Sequence, residues 1–372
     1  MTDRTQDLHY MTLALRLAAK GRGTTSPNPM VGAVVVKQGR IVGQGFHLRP
    51  GTPHAEILAL RRAGTAVRGA TLYVTLEPCC HLKKRTPPCV PEVLRSGVSR
   101  VVIAMPDPNP AVERKGVAAL RRAGLSVTVG VAQSEAEELN KAYCLWVKTG
   151  RPYVTLKAGM TLDGQLATAS GESRWITGEL SRREVHQIRG HMDAVLVGVG
   201  TVLIDDPALT ARTGAGLETL ASRQPLRIVV DSRLRTPLKA QVLAQQNKAK
   251  TMIVTTAAAS AARRSALQQK GIEVLTVPGQ QGRVSLPALL KQLGRRGVTS
   301  LLVEGGSEMN GAMLKARLVN HVRLYVAPRL LGGQNAKGMI GGVSPAKLAA
   351  AIRLRQVVTR SLGNDWVVEG DL

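Results

Sequence analysis

The run HAEILAL (His54 to Leu60), followed by VTLEPCCHLKKRTPPC (Val74 to Cys89), decides how this 372-residue chain folds. Residues 54–63 have helical spacing and are entered from Pro53. Residues 71–76 (TLYVTL) read as a strand that runs straight into Glu77-Pro78-Cys79. His54 therefore opens a helix, Cys79 closes a strand, and Cys89 follows the stiff pair Pro87-Pro88. One imidazole and two thiolates make three zinc ligands and leave a fourth tetrahedral position for water, whose pKa such an ion lowers to about 7. Glu56 stands two residues after the histidine at the same helix start, close to the metal without being forced onto it. A carboxylate there can take a proton from the water and deliver it to a ring nitrogen and then to a leaving amine.

Two plainer readings compete: a closed structural zinc site, or buried thiols with no metal. A closed site needs a fourth ligand and leaves Glu56 unexplained. Cys80 is a poor partner for Cys79 because adjacent side chains point apart, and adjacency also disfavours His81 as a substitute ligand. The pattern follows the H-x-E and P-C-x-x-C logic of zinc nucleobase deaminases, with Cys79 and Cys89 ten positions apart instead of three. Cys144, late in this half and on an apolar helical face, reads as an ordinary core residue.

Outward from this motif, 8–20 is helical, TTSPNP (24–29) is a turn, and 31–36 with 41–46 form a β-hairpin around Lys37 to Arg40. A short helix over 91–96, a strand over 100–105 and helices over 117–123 and 134–147 complete the first half. Lys148-Thr149, Gly150-Arg151 and Pro152 mark a linker. It divides the chain into domains 1–149 and 150–372. The second half has strands near 153–158, 194–199, 227–231, 251–255, 300–303 and 322–327, with helical stretches between most of them. Both halves are therefore α/β.

The net charge is +26, which raises nucleic acid as a partner. Residues 1–150 carry 21 Lys and Arg against 10 Asp and Glu, and the remainder 30 against 15, so the excess scales with length and forms no stripe. Aromatics are sparse, with one phenylalanine, five tyrosines and three tryptophans, too few for a base-stacking platform. No nucleic-acid partner is expected; the charge draws in anionic small molecules such as phosphorylated substrates. No apolar run approaches the roughly 20 residues of a membrane span, and Met1 to Tyr10 carry no signal peptide. A cytoplasmic protein with no membrane partner is expected. A homo-oligomer is compatible with the sequence.

Together with GRGTTSPNPMVGAVVV (21–36) and PDPNP (106–110), the two opening motifs resemble the bifunctional riboflavin-biosynthesis deaminase–reductase family. The resemblance continues through LKAGMTLDGQLATASGESRWIT (156–177), DDPALTAR (205–212), VEGG (303–306) and YVAPRLLGG (325–333), covering essentially the whole chain. It implies a cytidine-deaminase-like N-terminal domain followed by a dihydrofolate-reductase-like α/β C-terminal domain. The first would deaminate a phosphorylated pyrimidine, a diaminopyrimidinone bearing a phosphoribosylamino group. The second would use NADPH to reduce the ribosyl group of the resulting aminouracil to ribityl. It also implies Zn2+ on His54, Cys79 and Cys89 with Glu56 as proton shuttle. The Cys79–Cys89 loop is one residue longer than the family pattern, with Cys80 where serine is common and Lys84 near the usual glycine.

Asn28 is a pyrimidine contact or a plain Asn-Pro turn, and His47 a substrate contact or a surface histidine. Lys83, Lys84 and Arg85 reach a phosphate or form a solvated run. In the C-terminal half there is no G-x-G-x-x-G. Gly305-Gly306 after a strand, with a helix from about Asn310, and the turn Gly198 to Thr201 are two places where backbone amides can meet a phosphate. By matching motifs, the resemblance gives Gly159, Trp175, Thr201, Asp205, Ser232 and Gly306 as cofactor candidates. It gives Ser173, Arg189, Leu209, Arg212 and Glu304 as substrate candidates, with the two arginines suited to phosphate. Lys157 and Asp163 flank the active-site strand, and Lys157 would polarise the ribose or donate a proton. Trp175 is alternatively a core aromatic and Asp205 a turn former. Two other functions compete: a zinc deaminase acting on an RNA base with a C-terminal binding domain, and a zinc-stapled scaffold in which Glu56 is incidental.

Overall fold

The computed structural model describes residues 3–80, 86–110, 112–212 and 223–372. The chain forms two compact units, Met1–Gly150 and Arg151–Leu372. The break lies one residue beyond the expected boundary, because Gly150 caps the last helix of the first unit in the left-handed conformation (φ 67°). Among the described residues no helix is long and apolar enough to cross a membrane.

The first unit runs α1 (Asp3–Ala19), β1 (Gly32–Lys37), β2 (Arg40–Phe46), α2 (Ala55–Ala63), β3 (Thr71–Leu76), α3 (Cys89–Ser96), β4 (Arg100–Met105), α4 (Lys115–Arg122), β5 (Ser126–Val129), α5 (Gln133–Leu139) and α6 (Lys141–Thr149). Its sheet has the order β2-β1-β3-β4-β5; β1 is antiparallel to both neighbours, and β3, β4 and β5 are parallel. Gln38 and Gly39 both have positive φ, 48° and 74°, as a tight primed hairpin turn requires. The expected helix over 134–147 is two helices, because the buried Asn140 between them turns its side chain to the backbone of Met30 instead. β5 has no counterpart among the expected strands: SVTV is only four residues, partly exposed at the sheet edge.

Helix α2 carries the candidate catalytic residues and lies against β2 across Gly43 and Gly45. A Cβ on Gly43 would fall 2.1 Å from the Ala59 carbonyl oxygen, and one on Gly45 2.7 Å from that of Ala55. Only a strand bare of side chains there lets the helix come so near. Gly43→Ala is expected to lift α2 and destabilise this unit by about 1–3 kcal/mol. Thermal unfolding checks it; an unchanged melting temperature would show that the helix has slack.

The second unit runs β6 (Tyr153–Thr161), β7 (Gln165–Ala167), α7 (Glu179–His191), β8 (Ala194–Gly198), α8 (Val199–Asp205), β9 (Leu226–Val230), β10 (Thr251–Thr255), α9 (Ala261–Gln269), β11 (Glu273–Thr276), β12 (Gly279–Gln280), β13 (Arg283–Val284), α10 (Leu286–Arg295), β14 (Ser300–Val303), α11 (Ser307–Lys315), β15 (His321–Ala327), β16 (Lys337–Gly338), β17 (Arg355–Leu362) and β18 (Asp365–Asp371). Nine strands form one sheet, β11-β10-β9-β8-β14-β6-β15-β18-β17, parallel from β11 to β15 and antiparallel over the last two. Alternate side chains feed two cores, one per face: Leu196, Ile228, Met252 and Leu301 on one, Val195, Val229, Ile253 and Leu302 on the other.

Two expectations are corrected here. The Gly198 to Thr201 segment is not a turn but the start of α8, with Gly198 at its N-cap. The helix after Gly305-Gly306 begins at Ser307, three residues before Asn310, so the glycines lead directly into it.

Candidate functional site

In the first unit the carboxyl end of β3 delivers Cys79, the N-terminus of α2 delivers His54, and the N-terminus of α3 delivers Cys89. His54 Nδ1 lies 3.6 Å from Cys79 Sγ and 3.2 Å from Cys89 Sγ, and all three donor atoms fall within 4.8 Å of one another. Cys89 is fully buried as the first residue of its helix. The Cys89 amide donates to the Cys79 carbonyl at 2.9 Å and so ties the two ligand segments together. Glu77 holds the strand end. Its buried carboxylate accepts from the amides of Asp107, Arg114 and Val117 at 2.9–3.1 Å.

Glu56 is 3% exposed, and its Oε2 is buried with no hydrogen-bond partner. Burial pushes its carboxyl pKa up, and the neighbouring His54 opposes this. One imidazole, two thiols and an unpaired carboxylate oxygen beside them suit a zinc ion with one open position. Asn28 Nδ2 donates to His47 Nε2 at 3.0 Å, and the His47 ring packs edge-on against His54 with centroids 5.3 Å apart. His47 is buried, not a surface histidine, and burial lowers its pKa. Cys144 is half-buried against the core, which pushes its thiol up to about 11. Lys83, Lys84, Arg85 and His81 lie outside the described residues.

In the second unit a cleft of about 710 Å³ opens at the carboxyl ends of β6, β8 and β14. It brings together Lys157, Gly159, Ser173, Trp175, Arg189, Thr201, Asp205, Leu209, Arg212, Glu304 and Gly306. Register explains its centre: Val303 pairs with Leu156 on one side and Leu196 on the other, so Glu304 emerges beside Lys157. Lys157 Nζ lies 3.2 Å from Glu304 Oε2, while Arg189 clamps both carboxylate oxygens at 2.6 and 2.9 Å. Burial would raise the Glu304 pKa, but the two cations outweigh it and hold it down at about 2. Arg189 lines the cleft and holds its fork on Glu304 and on the Thr210 carbonyl. Arg212 is exposed at the rim.

Trp175 is 61% exposed and not a core aromatic, with the Arg182 guanidinium 4.6 Å from its ring centroid. Ser173 donates to Asp205, the last residue of α8, at 2.7 Å. Leu209 is buried in the left-handed region (φ 52°). A Cβ on Gly305 would sit 2.5 Å from Met309 Cβ, so that position stays bare, and Gly305 and Gly306 line the cleft where α11 begins. Ser232 is not among the lining residues; its hydroxyl accepts the Val284 amide. Asp163 is absent too, its carboxylate receiving the amides of Leu331 and Gly332 and the Thr161 hydroxyl.

Sequence reasoning missed Glu77, Arg182, His186 and Thr86. His186 lines the cleft beside Arg189, and its pKa is lowered by burial and then by that arginine. Thr86 Oγ1 lies 3.0 Å from His54 Nε2. Such residues carry no motif of their own; only the helical spacing of His186 and Arg189 gave a signal.

Residues 4–105 match the cytidine and deoxycytidylate deaminase zinc-binding region family, and residues 152–368 match the RibD C-terminal domain family. The riboflavin biosynthesis protein RibD of Aquifex aeolicus is 44% identical over 363 residues, covering 97% of this chain and 97% of its own. That of Escherichia coli is 44% identical over 368 residues, covering 97% and 98%. Among solved structures, Acinetobacter baumannii RibD is 37% identical with a TM-score of 0.90 and covers all of both chains. A Thermotoga maritima diaminohydroxyphosphoribosylaminopyrimidine deaminase and amino-(phosphoribosylamino)uracil reductase is 35% identical with a TM-score of 0.85, covering 99% of each chain. The architecture is accordingly a cytidine-deaminase-like unit followed by a dihydrofolate-reductase-like one. With a zinc-type donor set in the first unit, a polar cleft in the second and full-length similarity to these proteins, the chain belongs to the RibD family of riboflavin-biosynthesis proteins.

Proposed function

We propose that this bifunctional riboflavin-pathway enzyme deaminates a diaminopyrimidinone bearing a phosphoribosylamino group in Met1–Gly150, and reduces the ribosyl group of the product to ribityl in Arg151–Leu372. The observation that carries the reading is the convergence of His54, Cys79 and Cys89 on one point beside the orphaned Glu56 Oε2. When bound, zinc supplies the Lewis acid that activates water, and NADPH supplies the reducing equivalent. Glu56 takes the water proton at Oε2 and passes it to the ring nitrogen and the leaving amine. The Asn28 amide reads the pyrimidine edge, placed by its bond to His47.

In the second unit Lys157, held by Glu304, donates a proton to the opening ribose oxygen. Arg212 binds the substrate phosphate, and Ser173 and Leu209 shape the ribose pocket. Gly306, Thr201, Asp205, Gly159 and Trp175 form the cofactor side; Ser232, standing apart from the cleft lining, would meet only a distal part of the cofactor. The reading needs no nucleic acid, since the basic residues are spread through both halves, and an RNA base is not favoured as the substrate. Four cysteines outside any disulfide and an NADPH-dependent step suit the cytoplasm.

A two-step assay tests this. Ammonia should appear when the phosphoribosylamino-diaminopyrimidine meets zinc-loaded protein, and absorbance should fall when NADPH follows. Silence in both steps would sink the reading. Division of labour has its own test. Cys89→Ser is expected to lose zinc and ammonia release together while still oxidising NADPH with the deaminated intermediate. Joint loss of both activities in a folded variant would show that the units depend on each other.

A further inference from the structure

We propose that Thr86 is a positioning residue of the metal centre: its hydroxyl accepts the proton of His54 Nε2 and so locks the histidine in the tautomer whose Nδ1 meets the metal. The inference rests on reading His54, Cys79 and Cys89 as the zinc ligands.

A neutral imidazole has one nitrogen with a lone pair and one with a proton, and the partner of the second decides which is which. Here Nδ1 is the nitrogen that faces the thiols, at 3.2 and 3.6 Å. For it to offer a lone pair, the proton has to sit on Nε2. Nε2 lies 3.0 Å from Thr86 Oγ1, an ordinary N–H···O distance. A hydroxyl can accept as well as donate, so Thr86 suits that proton. With the proton on Nδ1 instead, Nε2 would take the hydroxyl hydrogen and Nδ1 would present N–H where a ligand lone pair is needed.

The chain around Thr86 gives the contact its rigidity. Thr86-Pro87-Pro88-Cys89 is one stiff piece, with Pro88 extended at φ −65° and ψ 147° as the cap of α3. A single four-residue segment therefore grips the imidazole from two sides, with a hydroxyl on Nε2 and a thiol against Nδ1. The edge-on His47 ring restricts the imidazole further. Outer partners of this kind set the orientation and basicity of a metal-bound histidine, and losing one typically weakens metal binding about 10- to 100-fold.

The test compares full-length parent, Thr86→Val and Thr86→Ser proteins by competition for zinc with pyridylazoresorcinol. Thr86→Val, which keeps the shape and removes the hydroxyl, is expected to bind zinc about 10- to 100-fold more weakly. Thr86→Ser, which keeps the hydroxyl, is expected to stay within about threefold of the parent. Equal affinity in parent and valine variant overturns the proposal. So does equal weakening in both variants, which would assign the role to packing. An unchanged zinc affinity with a raised KM would make Thr86 a substrate contact instead, and overturns it too. A parent that takes up no zinc refutes the ligand reading itself, so the two failures are distinguishable. Should the valine variant not fold, proton–nitrogen spectra of the zinc-loaded parent decide: a His54 Nε2 proton protected from water exchange and showing contact to the Thr86 side chain supports the lock, and one that exchanges freely overturns it.

Discussion

Replacing Glu56 by glutamine is expected to slow ammonia release by two to four orders of magnitude, the range in which a positioned acid–base group contributes. Zinc content and NADPH oxidation should stay at parental levels. Glutamine fills nearly the same space on the first turn of α2 and keeps a polar tip beside the metal ligands, so packing and the donor set are preserved. What disappears is the ability to hold a proton at Oε2, the buried oxygen that has no hydrogen-bond partner in the protein. An unpartnered carboxylate oxygen at 3% exposure is costly to fold around, and its environment drives the carboxyl toward keeping a proton. A scaffold has no use for that cost; a proton shuttle does. Ammonia release from the substrate, with zinc measured on the same sample, checks the prediction. Turnover within a few-fold of the parent in a zinc-replete variant would assign the proton transfer to another group and revive the scaffold reading.

The contrast between Glu56 and Glu304 shows how unevenly the sequence discloses a site. Glu56 was legible because its neighbours are local: two residues from His54, on a helix start marked by Pro53. The ligand set was legible because a strand end, a proline pair and a histidine are each short-range signals. Glu304 followed only from family motifs, because its role depends on Arg189 and Lys157, 115 and 147 residues away in the chain. No local pattern announces that β14 inserts between β6 and β8, yet that insertion puts the three side chains together. For the same reason the clamp of Arg189 on Glu304 was not foreseen: a guanidinium is read as free until its carboxylate is seen. The unforeseen β17–β18 hairpin is a tertiary matter as well. RQVVTRSL is almost wholly exposed, so it lacks the buried alternation by which the other strands were recognised.

Glu304→Gln is expected to cost the second unit about 3–5 kcal/mol, because it leaves the Arg189 guanidinium and the Lys157 ammonium, 14% and 19% exposed, without their shared counter-charge. NADPH oxidation should fall with it, since Lys157 Nζ loses the oxygen that aims it into the cleft. The effect has a pH signature. In the folded protein the two cations hold the Glu304 carboxyl at about 2, against an ordinary value of 4.5. A carboxyl depressed by folding adds stability that is fully present above its ordinary value and is lost as the pH drops through the folded one. The gap in melting temperature between parent and variant should therefore be constant above about pH 5 and close as the pH falls from 4.5 towards 2. Glutamine cannot titrate, so the closing comes from the parent alone. Differential scanning calorimetry across that window checks it. A gap that persists undiminished at the acid end would mean that the loss comes from altered packing, and that the Arg189–Glu304–Lys157 cluster does not act through its charge.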